Sequence, residues 1–241
     1  MKLAAAALAA LFLFMATLFG CETVKETAAP EGQTDAGASF KAYSEAKSEA
    51  FDSVATVFMY EPDIYIELEL KFMAAGLADL AVMPIKAIGA SNETLNTLES
   101  LGFAGVRAAR DGEEYKITYK SKDGIQYTQT CFYDASLDAL QSSVAGPDGK
   151  ETVWFEYIKA ADGYTAQYYL SESQFAWITA YLGADVKAFG VSESALRPPS
   201  LLLSSALGLD YVQKCDTYFI LQGNNFDVFD NGETLMIKGR Q

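Results

Sequence analysis

Histidine does not occur anywhere in the 241 residues. Its absence excludes Ser–His–Asp and Cys–His nucleophilic devices and the commonest zinc sites. Cysteine is scarce: Cys21, Cys131 and Cys215 are the whole set of three. Paired-cysteine metal motifs and glycine-rich phosphate loops are also missing, so the sequence implies no cofactor. Basic residues are few, with 18 Lys and Arg against 32 Asp and Glu and a net charge of −14. That balance argues against a nucleic-acid or anionic-lipid surface, since both need a positive footprint.

What the chain does have begins at its N-terminus. Met1-Lys2 is followed by an uncharged run from Leu3 to Gly20, then Cys21 and the polar stretch Glu22 to Gly32. A basic start, an apolar run and a small residue read as a secretory signal over residues 1–20. The run is shorter than the roughly 20 apolar residues that a spanning helix needs. Leu18-Phe19-Gly20-Cys21 resembles the lipobox of bacterial lipoproteins. The resemblance implies cleavage before Cys21, acylation of that cysteine and anchoring to a membrane of the cell envelope. Glu22, where inner-membrane retention in some bacteria uses aspartate, favours the outer membrane. Several acyl chains on one residue hold stably, whereas one holds only marginally.

With Cys21 acylated, Cys131 and Cys215 remain. An exported compartment permits a disulfide between them, and two separate core thiols are the alternative. Residues 21–39 read as the lipidated cysteine and a flexible tether, rich in Ala, Thr, Gly, Pro and acid. Residues 40–241 read as one globular β-rich domain, long enough for a sizeable core. Phe40, Tyr43, Phe51, Val54 and Phe58 recur at helical spacing, which predicts an amphipathic helix over 40–59. Ile64 to Phe72 alternates apolar and polar residues, the period of a half-buried strand, while its flanks leave a helix as the alternative. A helix is expected over Met73 to Ala90, ending near Pro84, and another over Ser91 to Leu101, capped by Ser91 and stopped by Gly102.

From Asp111 onward, turn signals such as Asp111-Gly112, Asp123-Gly124 and Asp162-Gly163 recur every 9 to 14 residues. Segments rich in β-branched and aromatic residues lie between them. This predicts an antiparallel meander in which sequential strands are neighbours. Arg197-Pro198-Pro199 interrupts it, and three final strands are expected at Thr217–Gln222, Phe226–Phe229 and Glu233–Lys238. The fold class is therefore α+β: a curved sheet or incomplete barrel of about eleven or twelve strands, covered by N-terminal helices.

The middle strands carry large residues on both faces, so the sheet needs two covers or encloses an apolar cavity. Phe155, Tyr157, Tyr168, Phe175, Trp177 and Tyr181 are the candidate lining of such a cavity. In outline this pattern is similar to the lipoprotein-localisation carriers. That resemblance implies an incomplete barrel with helices over a pocket for acyl chains. Two readings follow: a non-catalytic lipoprotein that binds an apolar ligand, or an interaction module of an envelope protein assembly with a filled core. An enzyme would have to work through carboxylates such as Glu67 or Asp227, and no motif supports one. Glu67, Glu69 and Asp79 are the candidate cation cluster, against the simpler reading of a solvated face. The expected partners are the membrane, through the lipid, and a hydrophobic ligand or envelope protein.

Overall fold

The computed structural model describes residues 36–58, 66–193 and 196–239, which fall in one compact unit, Thr34–Gln241. The expected leader, Cys21, residues 22–35 of the tether, and Ile64 and Tyr65 lie outside the described residues.

Helix α1, Ala36–Phe58, buries Phe40, Tyr43, Phe51, Val54 and Phe58, the stripe that its spacing predicts. It starts at Ala36, so residues 36–39 are helical and belong to the body. Helix α2, Ile66–Leu77, runs into a 310 helix, Ala78–Ala87, which carries Pro84 internally. Helix α3, Asn92–Ser100, is capped by Ser91, whose hydroxyl accepts the Thr94 N–H at 3.3 Å, and it buries Leu98.

Helix α2 corrects the strand expected at 64–72. A period of two places residues 68, 72 and 76 on one face of a strand, but four-residue steps also stack them on one face of a helix. Leu68, Phe72 and Gly76 are buried, whereas Leu70, their neighbour in a strand reading, is 53% exposed. Glu67 and Glu69 sit in the first turn, where the helix dipole favours acids. Leu, Glu, Lys, Met and Ala are strong helix formers, and the run contains no β-branched residue after Ile66.

The rest of the chain is the meander. The strands are β1 Ala104–Asp111, β2 Glu114–Lys120, β3 Gln126–Asp134, β4 Ala139–Ala145, β5 Glu151–Ala160, β6 Gly163–Leu170, β7 Trp177–Gly183, β8 Val186–Ser192, β9 Thr217–Gln222, β10 Asn225–Asp230 and β11 Glu233–Gly239. All eleven pair antiparallel in sequence order, and the sheet does not close into a barrel. The last hairpin turns at Asn231-Gly232, both with positive φ of 50° and 83°, the backbone that a two-residue turn between twisted strands requires.

Each central strand is buried on both faces, for two reasons. The inner face carries Phe155, Tyr157, Tyr168, Phe189 and Phe219 and is covered by α1, α2 and the 310 helix. Phe51 stacks on Phe72 at 4.5 Å, and both meet Phe189 edge-on, joining two helices to the sheet in one cluster. The outer face of β5 to β9 is covered by the crossover between β8 and β9. It contains a 310 turn, Leu201–Leu203, and a short helix α4, Leu209–Val212. Tyr181, Ala188, Val212 and Ile220 form a second small core there. Gly190 permits this approach, because a Cβ at that position would stand 2.8 Å from Cys215 Sγ and 2.9 Å from the Val212 carbonyl.

Substitutions separate the helix from the strand reading. Phe72→Ala is expected to cost about 3–5 kcal/mol of unfolding free energy in urea, whereas Leu70→Ala changes it by roughly 0.5 kcal/mol or less. Comparable large losses at both positions are the result that a strand would give.

Candidate functional site

The six aromatic residues expected to line one cavity divide among three places. Phe155, Tyr157 and Tyr168 come together on the inner face of β5 and β6. Trp177 and Tyr181 point to the outer face, where Trp177 meets Tyr211 edge-on and Tyr181 joins the small core. Phe175 is half-buried beside an open cleft of about 170 Å³, shared with Glu67, Lys71, Ser192 and Asp216.

The space over Phe155, Tyr157 and Tyr168 is occupied. Tyr43 of α1 lies parallel on Tyr157 with centroids 4.5 Å apart, and Phe40 meets Phe155 edge-on. One turn further along α1, Lys47 is 1% exposed and pairs with Asp79 of the 310 helix at 2.8 Å. Its ammonium also donates to the Ala75 carbonyl at 2.9 Å and stands 4.5 Å above the Tyr168 ring. The Tyr168 hydroxyl donates to Asp79, so its 2.6 Å contact with Tyr43 is one in which Tyr43 donates. A buried charge is tolerable only with such partners, and here each donor has an acceptor.

A second branch runs from the start of α1. The Ser39 hydroxyl donates to Asp138 and lies 2.6 Å from the Tyr157 hydroxyl. Asp138 also accepts from Tyr133 at 2.9 Å and pairs with Lys159 at 3.3 Å. Burial raises the Tyr43 and Tyr168 phenols well above their ordinary value, and the Asp79 charge adds to it, so both remain donors. Burial pushes the Lys47 ammonium down while Asp79 pulls it back up.

On the outer face Glu156 has the matching role. It is 1% exposed and accepts from Gln167 at 2.7 Å, Gln141 at 2.7 Å, Ser200 at 2.8 Å and the Leu201 N–H. These bonds fix the crossover to the sheet. Lys47 and Glu156 were not singled out as sites from the sequence, though both carried a signal. Lys47 lies four residues from Tyr43 and from Phe51, inside the apolar stripe. Glu156 stands between Trp154 and Ile158 on one face of its strand.

Cys131 and Cys215 are free thiols, which corrects the disulfide reading. Cys131 is on the inner face beside Ser142, and Cys215 is on the outer face beside Thr179, with the sheet between them. Burial pushes each thiol up to about 12. Glu67 pairs with Lys71 at 3.5 Å on α2, and Asp79 turns inward to Lys47, so the acidic residues considered together from the sequence are dispersed. Among the described residues no group of three or more His, Cys, Asp or Glu could hold a metal ion. Asp227 lies on the outer face of β10, away from Glu67 on α2. No helix among the described residues is long and apolar enough to cross a membrane. Comparison with protein families, curated proteins and solved structures finds no match to this chain.

Asp79→Ala is expected to destabilise the fold by about 3–5 kcal/mol, because it strands the buried Lys47 charge. The paired change Lys47→Met with Asp79→Leu is expected to recover most of that loss, measured by urea unfolding. For the thiols, an Ellman titration at pH 8 is expected to find Cys131 and Cys215 unreactive in the folded protein and both reactive after denaturation. Failure to release two thiols on unfolding without reductant is the result that a disulfide would give.

Proposed function

We propose that this chain is an exported lipoprotein, held at the bacterial cell envelope by acyl chains on Cys21, with the outer membrane favoured by Glu22. Its globular body is a non-catalytic interaction module with a filled core. The anchor reading rests on the Leu18-Phe19-Gly20-Cys21 sequence and the apolar run before it. The module reading rests on one observation above others: Tyr43, Lys47 and Asp79 occupy the place over Phe155, Tyr157 and Tyr168. An apolar ligand entering there would have to lift α1. That would expose an ion pair and tyrosine hydroxyls to an oily guest, which is costly. The similarity to carrier lipoproteins therefore extends to an open antiparallel sheet under helices, and acyl-chain binding does not follow from it.

An interaction module on a lipid anchor needs a rigid body and a presenting surface. The two buried polar networks supply rigidity. The outward side of α2, with Ile66 and Leu70, supplies exposed apolar side chains.

Two measurements test this proposal. Metabolic labelling with a fatty-acid analogue is expected to mark the wild type and not Cys21→Ser, and the mature chain is expected to begin at residue 21. A native chain that begins at Met1 without acyl mass contradicts the anchor. Native mass spectrometry of the Cys21→Ser protein is expected to give the bare polypeptide mass. A stoichiometric non-covalent lipid contradicts the filled module and restores the carrier reading.

A further inference from the structure

Within the crossover between β8 and β9, the strap from Leu196 to Leu209 differs in composition from the rest of the body. Its fourteen residues contain one charged side chain, Arg197, in a chain of net charge −14. That charge is committed: its guanidinium lies 4.1 Å over the Trp154 ring and contacts Glu151 at 3.3 Å. The strap also carries the two most exposed large hydrophobic residues of the described structure, Leu203 at 86% and Leu196 at 79%.

Leu203 is presented by a fixed backbone. Ser200 caps the 310 turn by accepting the Leu202 N–H at 3.2 Å, and Leu201 is buried beneath it. Glu156 holds Ser200 and the Leu201 N–H, Gln167 donates to the Pro199 carbonyl at 2.8 Å, and Thr165 accepts the Gly208 N–H at 2.8 Å. A segment held this way has already lost most of the freedom that docking would otherwise remove.

We propose that this strap docks on the bilayer surface, with Leu203 and Leu196 inserted into the interface between headgroups and acyl chains. This rests on the lipid-anchored reading above. A bilayer fits better than a protein partner because protein hot spots are rich in Trp, Tyr and Arg and poor in Leu and Ser. The strap offers Leu, Ser, Pro, Ala and Gly, and its one Arg is already engaged. Contact here is apolar and does not need the positive footprint that the chain lacks. The strap itself contains no acid, and Glu193 and Asp210 lie just beyond its two ends. Two leucines bury less apolar surface than a myristoyl chain, whose own binding constant is only about 10⁴ M⁻¹. The strap alone is therefore weak. The anchor changes that: the chain from Cys21 to Ala36 can reach at most about 50 Å, which keeps the body at roughly millimolar effective concentration near the lipid.

The test uses the full chain in vesicles of phosphatidylcholine and phosphatidylglycerol. Leu203→Cys is labelled with an environment-sensitive fluorophore, since Cys131 and Cys215 are buried. A control label goes at Glu113→Cys, in the exposed β1–β2 turn. The expected result is a blue shift and at least a roughly twofold rise in emission at 203 on reconstitution. Brominated lipid is expected to quench it, with the label at 113 unchanged. A label at 203 that stays water-like in the anchored protein overturns the proposal. So does one that becomes buried only when envelope proteins are added. The Cys21→Ser background separates the two readings. There, 203 is expected to shift only at millimolar lipid, and adding Leu196→Ser to the labelled Leu203→Cys protein is expected to abolish the shift. A labelled Leu203→Cys protein with Cys21 intact that proves acyl-free and still shows this millimolar-lipid shift would sink the anchor and leave the strap standing.

Discussion

The contact on which the rest of the structure depends is the seating of α1 on the inner face of the sheet through Lys47, Asp79, Tyr168 and Tyr43. A long open sheet has the same problem along its whole length: aromatic side chains on its faces must be covered. On the inner face the cover is a helix bearing Phe40, Tyr43, Phe51 and Phe58, and the polar network sets its register. Apolar burial alone is non-directional and would tolerate a helix that slides or rotates. A buried ion pair with two phenols tolerates neither, because displacement leaves a charge without a partner.

The outer face repeats this logic with a different cover. Glu156 is a buried carboxylate with four donors, and it ties the crossover to strands β4, β5 and β6. Gln167 links the same site to Trp177 and Tyr211, whose hydrogen-bonding groups both reach its Oε1. The inner cover is thus pinned by the buried Lys47–Asp79 pair and the outer cover by buried Glu156. The consequence for function is a rigid body whose unsatisfied apolar surface is displaced outward, onto the strap and the exposed side of α2.

Much of the fold was legible in the sequence. Asp-Gly pairs at regular intervals marked the hairpins, and the three final strands fall where the Asn-rich turns put them. The stripe of α1 was legible because five large apolar residues repeat at helical spacing. The run Ile64 to Phe72 was not, since seven to nine alternating residues satisfy a strand and a four-residue helical stripe equally. Tertiary contact of Phe72 with Phe51 and Phe219, together with the run's helix-forming composition, decides it. The thiols were ambiguous because sequence cannot say that Cys131 and Cys215 lie on opposite faces of one sheet. The aromatic residues on both faces announced the need for two covers, but not that one would be a helix and the other a crossover. Lys47 and Glu156 show why: a charged residue inside an apolar pattern signals a network, but its partners lie 32 and 44 residues away, at Asp79 and Ser200.

Native-state hydrogen exchange of α1 tests the central claim most directly. If the network pins this helix, amides from Tyr43 to Phe51 exchange only through global unfolding, with the same denaturant dependence as those of β5 and β6. Exchange of α1 at a rate orders of magnitude faster, while the sheet stays protected, would show that the helix lifts on its own. The inner face would then be an accessible pocket rather than a filled core.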